Sequence, residues 1–113
     1  MADYCFRPHE RLQDSNQYQQ VKRAGKRVRT PHFGVNFLTN GLPHHRLGLI
    51  VQKRFWNAVN RNRIKRRVRE WFRLHKQNIP LPGQDIVIIA RQGAERLSST
   101  EVTRELSRVF ATQ

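Results

Sequence analysis

The hydrophobic residues recur with different periods along the chain. In "HFGVNFLT", residues 32–39, they alternate: Phe33, Val35 and Phe37 fall on one side, Gly34, Asn36 and Leu38 on the other. A period of two predicts a strand with one face on a core. "HRLGLIVQK", residues 45–53, carries aliphatics on both faces and predicts a second, central strand. Between them "NGLPHH" supplies the turn residues Asn40, Gly41 and Pro43, so the two strands are expected to be antiparallel neighbours. The period then lengthens. In "NRNRIKRRVREWFR", residues 60–73, Ile64, Val68, Trp71 and Phe72 share one side of a helix, with His75 one turn further on. The helix must end before "NIPLPGQD", whose prolines and glycine forbid its continuation. "DIVIIAR", residues 85–91, is a short continuous apolar run and predicts a buried strand. The order strand, long helix, strand predicts a crossover between parallel strands.

Two further helices are read from their ends. In "DSNQYQQVKRAG", Asp14 or Ser15 can accept from the first free amides and Gly25 can close the far end. Tyr18 and Val21, three apart, share a thin apolar face. Near the C-terminus, Ser98 and Glu101 have capping-box spacing, and Leu97 with Val102 forms a hydrophobic staple. Val102, Leu106, Val109 and Phe110 continue as its buried stripe. The order is α-β-β-α-β-α, with a further edge strand near residues 27–30. It predicts a small α+β sandwich with helices against a mixed sheet. At 113 residues, the chain is expected to form a single domain, 1–113.

Charge narrows the function. Lys and Arg number 22 against 8 acidic residues, a formal net charge of +14. That charge repels itself in a compact chain unless a polyanion is near. The hydrophobic fraction of 37% is nonetheless too high for a disordered basic tail. A folded domain that binds a polyanion fits both facts, nucleic acid first and an anionic membrane surface second. No apolar run approaches the length needed to cross a bilayer, and "MADYCFRPHE" lacks the order of a secretory signal. With Cys5 as the only cysteine, a multi-cysteine zinc site and an internal disulfide are excluded, and a reducing cytoplasm is the expected location.

Candidate chemistry is sparse. The acids Asp3, Glu10, Asp14, Glu70, Asp85, Glu95, Glu101 and Glu105 are scattered, and only the last two share a helical face. A protein nuclease would gather carboxylates for metals or use histidines as acid and base. His44 and His45 sit in a turn and are expected to be exposed polar residues; His75 is expected at the core edge. No Walker loop or G-x-x-G clamp is present. The basic residues are more telling. Lys65, Arg66, Arg69 and Arg73 gather on one flank of the long helix, Arg63 and Arg67 on another. Seven cations against the single acid Glu70 do not make a self-neutralised face, so a polyanion is expected there. Arginine's planar fork suits phosphate oxygens. Phe33 and Phe37 read as core, while Tyr18 and Asn36 are candidates for a groove that holds single-stranded RNA.

Residues 46–73, "RLGLIVQKRFWNAVNRNRIKRRVREWFR", closely resemble the signature of the bacterial ribonuclease P protein subunit. One part is R-x-G-x-x-V-x-K, here Arg46, Gly48, Val51 and Lys53. The other is R-N-R-x-K-R-x-x-R-E, here Arg61, Asn62, Arg63, Lys65, Arg66, Arg69 and Glu70. The first helix, the strand "DIVIIAR" and the final helix lie in the family's order, so the likeness covers nearly the whole chain. It implies an α-β-β-β-α-β-α fold with a left-handed β-α-β crossover, resembling a domain of small-subunit ribosomal proteins. It also implies a catalytic ribonuclease P RNA as partner. That RNA, with magnesium bound mainly by the RNA itself, removes the 5′ leader of precursor tRNA. By position in the motif, Arg46, Lys53, Arg61, Asn62, Arg63, Lys65, Arg66 and Arg69 are expected at the RNA, and Arg73 extends that flank. Tyr18, Lys22 and Asn36 are expected at the leader groove. Lys22 stands where some members carry a second aromatic, and a shift of this side of the groove from stacking towards phosphate contact is therefore expected. On this reading no catalytic side chain is expected in the protein. Two other classes share some of these features: a ribosomal protein or RNA chaperone of similar charge, and a protein-only nuclease, which the scattered acids disfavour.

Overall fold

The computed structural model describes residues 8–111; Asp3 and Cys5 lie outside them. Helix α1 runs Ser15–Ala24, followed by strands β1 Lys26–Arg29, β2 Phe33–Thr39 and β3 Arg46–Ile50. Helix α2 runs Ala58–His75, strand β4 Gln84–Ala90 and helix α3 Ser99–Ala111. The element order and the α+β class match those read from the sequence, and the extra strand is present.

The sheet order is β1-β2-β4-β3. This corrects one expectation: β2 and β3 are not neighbours, and β3 is an edge strand instead of a central one. Strand β4 lies between them, antiparallel to β2 with Phe33 opposite Ala90, and parallel to β3 with Leu47 opposite Ile86. The physical reason lies in β4, whose residues Asp85 to Ile89 pair on both sides and include the continuous apolar run from Ile86. Strand β3 shows aliphatics on both faces for a different reason: both of its faces are covered although one edge is not extended by a full strand. That edge carries only a single parallel bridge between Leu47 and Arg11 among the described residues.

Alternation along the strands divides the apolar residues between two cores. Phe33, Val35, Phe37, Leu47, Ile86 and Ile88 face α2 and α3, where they meet Ile64, Val68, Trp71, Phe72, Val102, Leu106 and Phe110. On the opposite face, Val87 packs with Leu12 and Val21, joined by Tyr18, Leu38, Ile50 and Ile89. The sheet is therefore sandwiched, with α1 on one side and α2 and α3 on the other. Trp71 and Phe110 stack at 5.9 Å across the α2–α3 seam, and Trp71 donates its indole N–H to Ser107 Oγ at 3.1 Å.

The helix ends follow from local chemistry. Asp14 caps α1, accepting from Gln17 N at 3.0 Å, while Gln17 Oε1 accepts from Asp14 N. Ser98 and Glu101 form the expected reciprocal cap of α3, with bonds of 3.2 and 3.0 Å. Helix α2 is longer than its apolar stripe suggested. Asn57 Oδ1 caps it at 2.8 Å from Asn60 N, and a 3-10 turn, Lys76–Asn78, succeeds it.

The loop 40–45 docks on the loop before β4. Asn40 N donates to Gly83 O and Gly83 N to Leu42 O, both at 3.0 Å. His45 is buried there, against the expectation of an exposed turn residue. Its Nδ1 accepts from Gln84 N and its Nε2 meets the Ile79 carbonyl, each at 3.0 Å. It serves as a cross-link between two loops because an imidazole can satisfy a donor and an acceptor at once.

Candidate RNA interface

Helix α2 segregates its side chains. Ile64, Val68, Trp71 and Phe72 are buried, and His75 sits half-buried at the core edge, as read from the pattern. The far side carries the cations. Asn62, Lys65, Arg66, Arg69, Glu70 and Arg73 line one shallow groove of about 420 Å³. Arg66 and Arg69 are exposed there. Glu70 accepts two bonds from Arg73, at 2.6 and 3.2 Å, and this pairing holds its carboxyl below the usual range. One acid in the groove is thus already matched, leaving Lys65, Arg66 and Arg69 to give it a positive field.

The remaining motif residues are distributed differently. Arg63 is half-buried and lies outside that groove, and Arg67 turns inwards to donate to the Leu97 carbonyl. Arg61 is half-buried, and among the described residues its Nε is buried without a hydrogen-bond partner. A buried guanidinium donor left unpaired is costly, and an incoming acceptor relieves that cost. Lys53 is exposed in the turn between β3 and α2. Arg46 is held by Asp85 through two bonds of 2.6 and 2.7 Å, a pairing that raises the pKa of the arginine. In this arrangement the Arg46 fork faces the protein.

The second candidate site lies on the α1 face of the sheet. Tyr18, Lys22 and Asn36 are brought together, as expected, with Gln19, Leu49, Ile50, Val87 and Ile89 in a groove of about 550 Å³. Tyr18 lies directly on Gly48: a Cβ built there would stand 2.6–2.8 Å from the phenol ring. The motif glycine is thereby given a physical task, to let the Tyr18 side chain approach β3 closely. Asn36 forms part of the floor, almost wholly buried, and Lys22 is exposed at the rim. Sequence reasoning missed Gln19 and the approach of Tyr18 to Gly48; the one-turn spacing from Ser15 to Gln19 was the available signal for the former.

Every carboxylate among the described residues has an intramolecular partner. Glu10 pairs with Lys76 at 2.6 Å, and Asp14 caps α1. Glu95 accepts from Trp56 Nε1 at 2.6 Å, a bond that lowers its pKa. Glu101 caps α3, and Asp85 and Glu70 hold arginines. Glu105 holds the β1–β2 turn through Thr30, His32 N and His32 Nδ1; burial pushes its carboxyl up, but these bonds outweigh that and lower it. Among the described residues no three potential metal ligands gather, and no helix is long and apolar enough to cross a membrane.

The structure thus holds an outward cationic groove on α2 and, on the α1 face of the sheet, a separate groove that contains Tyr18, Lys22 and Asn36. The family model for Ribonuclease P matches residues 6–113. The chain belongs to the ribonuclease P protein family. A ribonuclease P protein component of Syntrophobacter fumaroxidans is 70% identical over 105 residues, spanning 93% of this chain and 88% of that protein. One from Syntrophus aciditrophicus is 42% identical over 106 residues, with 94% and 88% spanned. Among solved structures, a ribonuclease P protein of Staphylococcus aureus aligns with a TM-score of 0.81 at 35% identity, covering 91% of this chain and 94% of that one. The ribonuclease P protein of Thermotoga maritima gives 0.82 at 34% identity, covering 92% and 97%. Membership makes the chain a ribonuclease P protein component, a part of an endoribonuclease complex.

Proposed function

We propose that this protein binds a catalytic ribonuclease P RNA through α2 and holds the single-stranded 5′ leader of precursor tRNA in the Tyr18 groove. In this reading it assists removal of the leader in the cytoplasm, and the RNA subunit carries the bond cleavage. The observation that supports it best is the α2 groove, where Lys65, Arg66 and Arg69 stand outward on a helix whose opposite side is locked in the core. Phosphate oxygens are the natural occupant of such a field. The Tyr18 groove has another character: an aromatic ring and the amides of Asn36 and Gln19 suit unpaired bases, and Lys22 at the rim suits a phosphate.

Magnesium, in this proposal, is held mainly by RNA phosphates. The pairing of the described carboxylates with arginine, lysine, histidine, tryptophan, hydroxyl and backbone groups supports that assignment, because a hard divalent cation seeks free oxygen ligands. The test is reconstitution. Precursor tRNA is expected to lose its leader when protein, ribonuclease P RNA and magnesium are combined at physiological salt. Efficient cleavage by RNA-free protein overturns the assignment of the chemistry to RNA.

A further inference from the structure

The turn between β3 and α2 holds a pair of residues that the two surfaces above leave unused. Phe55 is 43% exposed, although large apolar side chains gain by burial. Single exposed apolar residues are common, so exposure alone decides nothing. Phe55 differs in how firmly it is held. The Arg54 guanidinium lies over its ring, 4.7 Å from the centroid, and Arg54 Nε donates to Gln52 Oε1 at 3.0 Å. The neighbouring Trp56 packs against Phe55 at 5.8 Å in an edge arrangement. Trp56 itself is buried and bonded to Glu95, which is fixed in turn by Gly93 N at 3.1 Å. The backbone closes the turn, Phe55 N donating to Gln52 O at 3.3 Å. The result is a pre-positioned stack of guanidinium on phenyl, braced by Trp56 and partly open to solvent.

Its place in the chain matters as much. Leu49 and Ile50, which end β3, line the Tyr18 groove, and Asn62 and Lys65 of α2 line the cationic groove. The turn 51–57 is the covalent path from one to the other, and Lys53 and Arg54 add two exposed cations along it.

We propose that the Arg54–Phe55 pair is a stacking site for one unpaired RNA base, located between the leader groove and the α2 groove. Stacking on an aromatic ring or on a guanidinium plane is a common way of holding a splayed base, and the cation supplies attraction to its phosphate. The inference rests on the RNA-binding reading above but is separable from it. Stacking depends on the base, whereas the α2 groove recognises phosphate charge.

The experiment uses the full chain and short single-stranded RNAs of one length, with normal or abasic nucleotides, titrated at several salt concentrations. The wild type, Phe55→Ala, Phe55→Trp, Arg54→Lys and Tyr18→Ala are compared. Phe55→Ala is expected to weaken binding of the base-bearing RNA about tenfold, the scale of one base–aromatic stack, with little change for the abasic RNA. Its salt slope should remain that of the wild type, and Phe55→Trp should restore the affinity. Arg54→Lys keeps the charge but removes the plane, so it should weaken the base-bearing RNA alone. Tyr18→Ala combined with Phe55→Ala should lose more than either alone, since the two stacks are separate. Equal binding of both RNAs by wild type and Phe55→Ala overturns the inference. Absence of any salt-dependent RNA binding overturns the parent reading instead. An equal loss for both RNAs in Phe55→Ala, with altered circular dichroism, assigns Phe55 to the fold and also overturns the proposal.

Discussion

At the scale of single residues, His45 carries its one proton on Nε2, since Nδ1 is occupied as acceptor from Gln84 N. A second proton would face that N–H. Burial lowers the pKa of His45 below 6.5, helped by nearby His44 and opposed by the Ile79 carbonyl and Glu10. The unfolded chain therefore takes up this proton more readily than the folded one. The contribution of His45 to stability is complete above about pH 6.5 and declines as the pH falls through the depressed folded value. Thermal unfolding should show a falling Tm from pH 7.5 to pH 5, with a flatter profile for His45→Gln, which cannot titrate. Identical slopes would remove His45 as the cause. Gly48 supports a second prediction. In Gly48→Ala the new methyl group displaces the Tyr18 ring, so affinity for a single-stranded leader should fall as far as in Tyr18→Ala, about tenfold. Lys22→Ala should instead flatten the salt dependence of leader binding, and titrations across salt separate the two effects.

At the scale of elements, α2 divides its side chains between a buried stripe and an exposed cationic groove, and substitutions should separate the stability of the first from the RNA binding proposed for the second. Arg66→Ala is expected to lower the salt slope of RNA binding by about one, the share of a single neutralised phosphate, with Tm little changed. Trp71→Ala removes an indole that is fully buried, stacked on Phe110 and bonded to Ser107, and should cost about 3–5 kcal/mol of stability by denaturant titration. A folded, equally stable Trp71→Ala variant would contradict its place in the core. This division was legible in the sequence because a helix converts spacing directly into direction. The caps of α1 and α3 were legible for the same reason, being local in the chain. Strand adjacency was not. Burial of both faces of β3 reads the same for an edge strand covered by helices and loops as for a central one, and nothing in residues 40–45 records that β4 arrives between β2 and β3. The burial of His45 and the pairing of Arg46 were illegible for a related reason: their partners, Ile79, Gln84 and Asp85, lie more than thirty residues away. The Tyr18, Lys22 and Asn36 site came from family likeness joined to strand alternation, and the pattern alone did not reveal that Gly48 underlies the ring.

At the scale of the whole molecule, a net charge of +14 opposes its own compaction. Raising monovalent salt from about 50 to 500 mM shortens the Debye length from roughly 14 to 4 Å. The free protein should therefore gain thermal stability over a range in which the proposed RNA binding should weaken, two opposite responses to one variable. Calorimetry of the free protein beside binding titrations tests this. A Tm that falls with salt would show that pairs such as Glu10–Lys76 and Arg46–Asp85 outweigh the long-range repulsion. The insertion of β4 between β2 and β3 has a consequence for synthesis. A ribosome that has reached residue 75 has made all of α2 but none of the strand that joins the two halves of the sheet. Until residues 84–90 emerge, β3 has no strand partner and the apolar stripe of α2 lacks much of the surface it packs on. The arginines thus exist as a charged polymer before they exist as a surface, and the spacing that would select one RNA over another is acquired only near the end of translation.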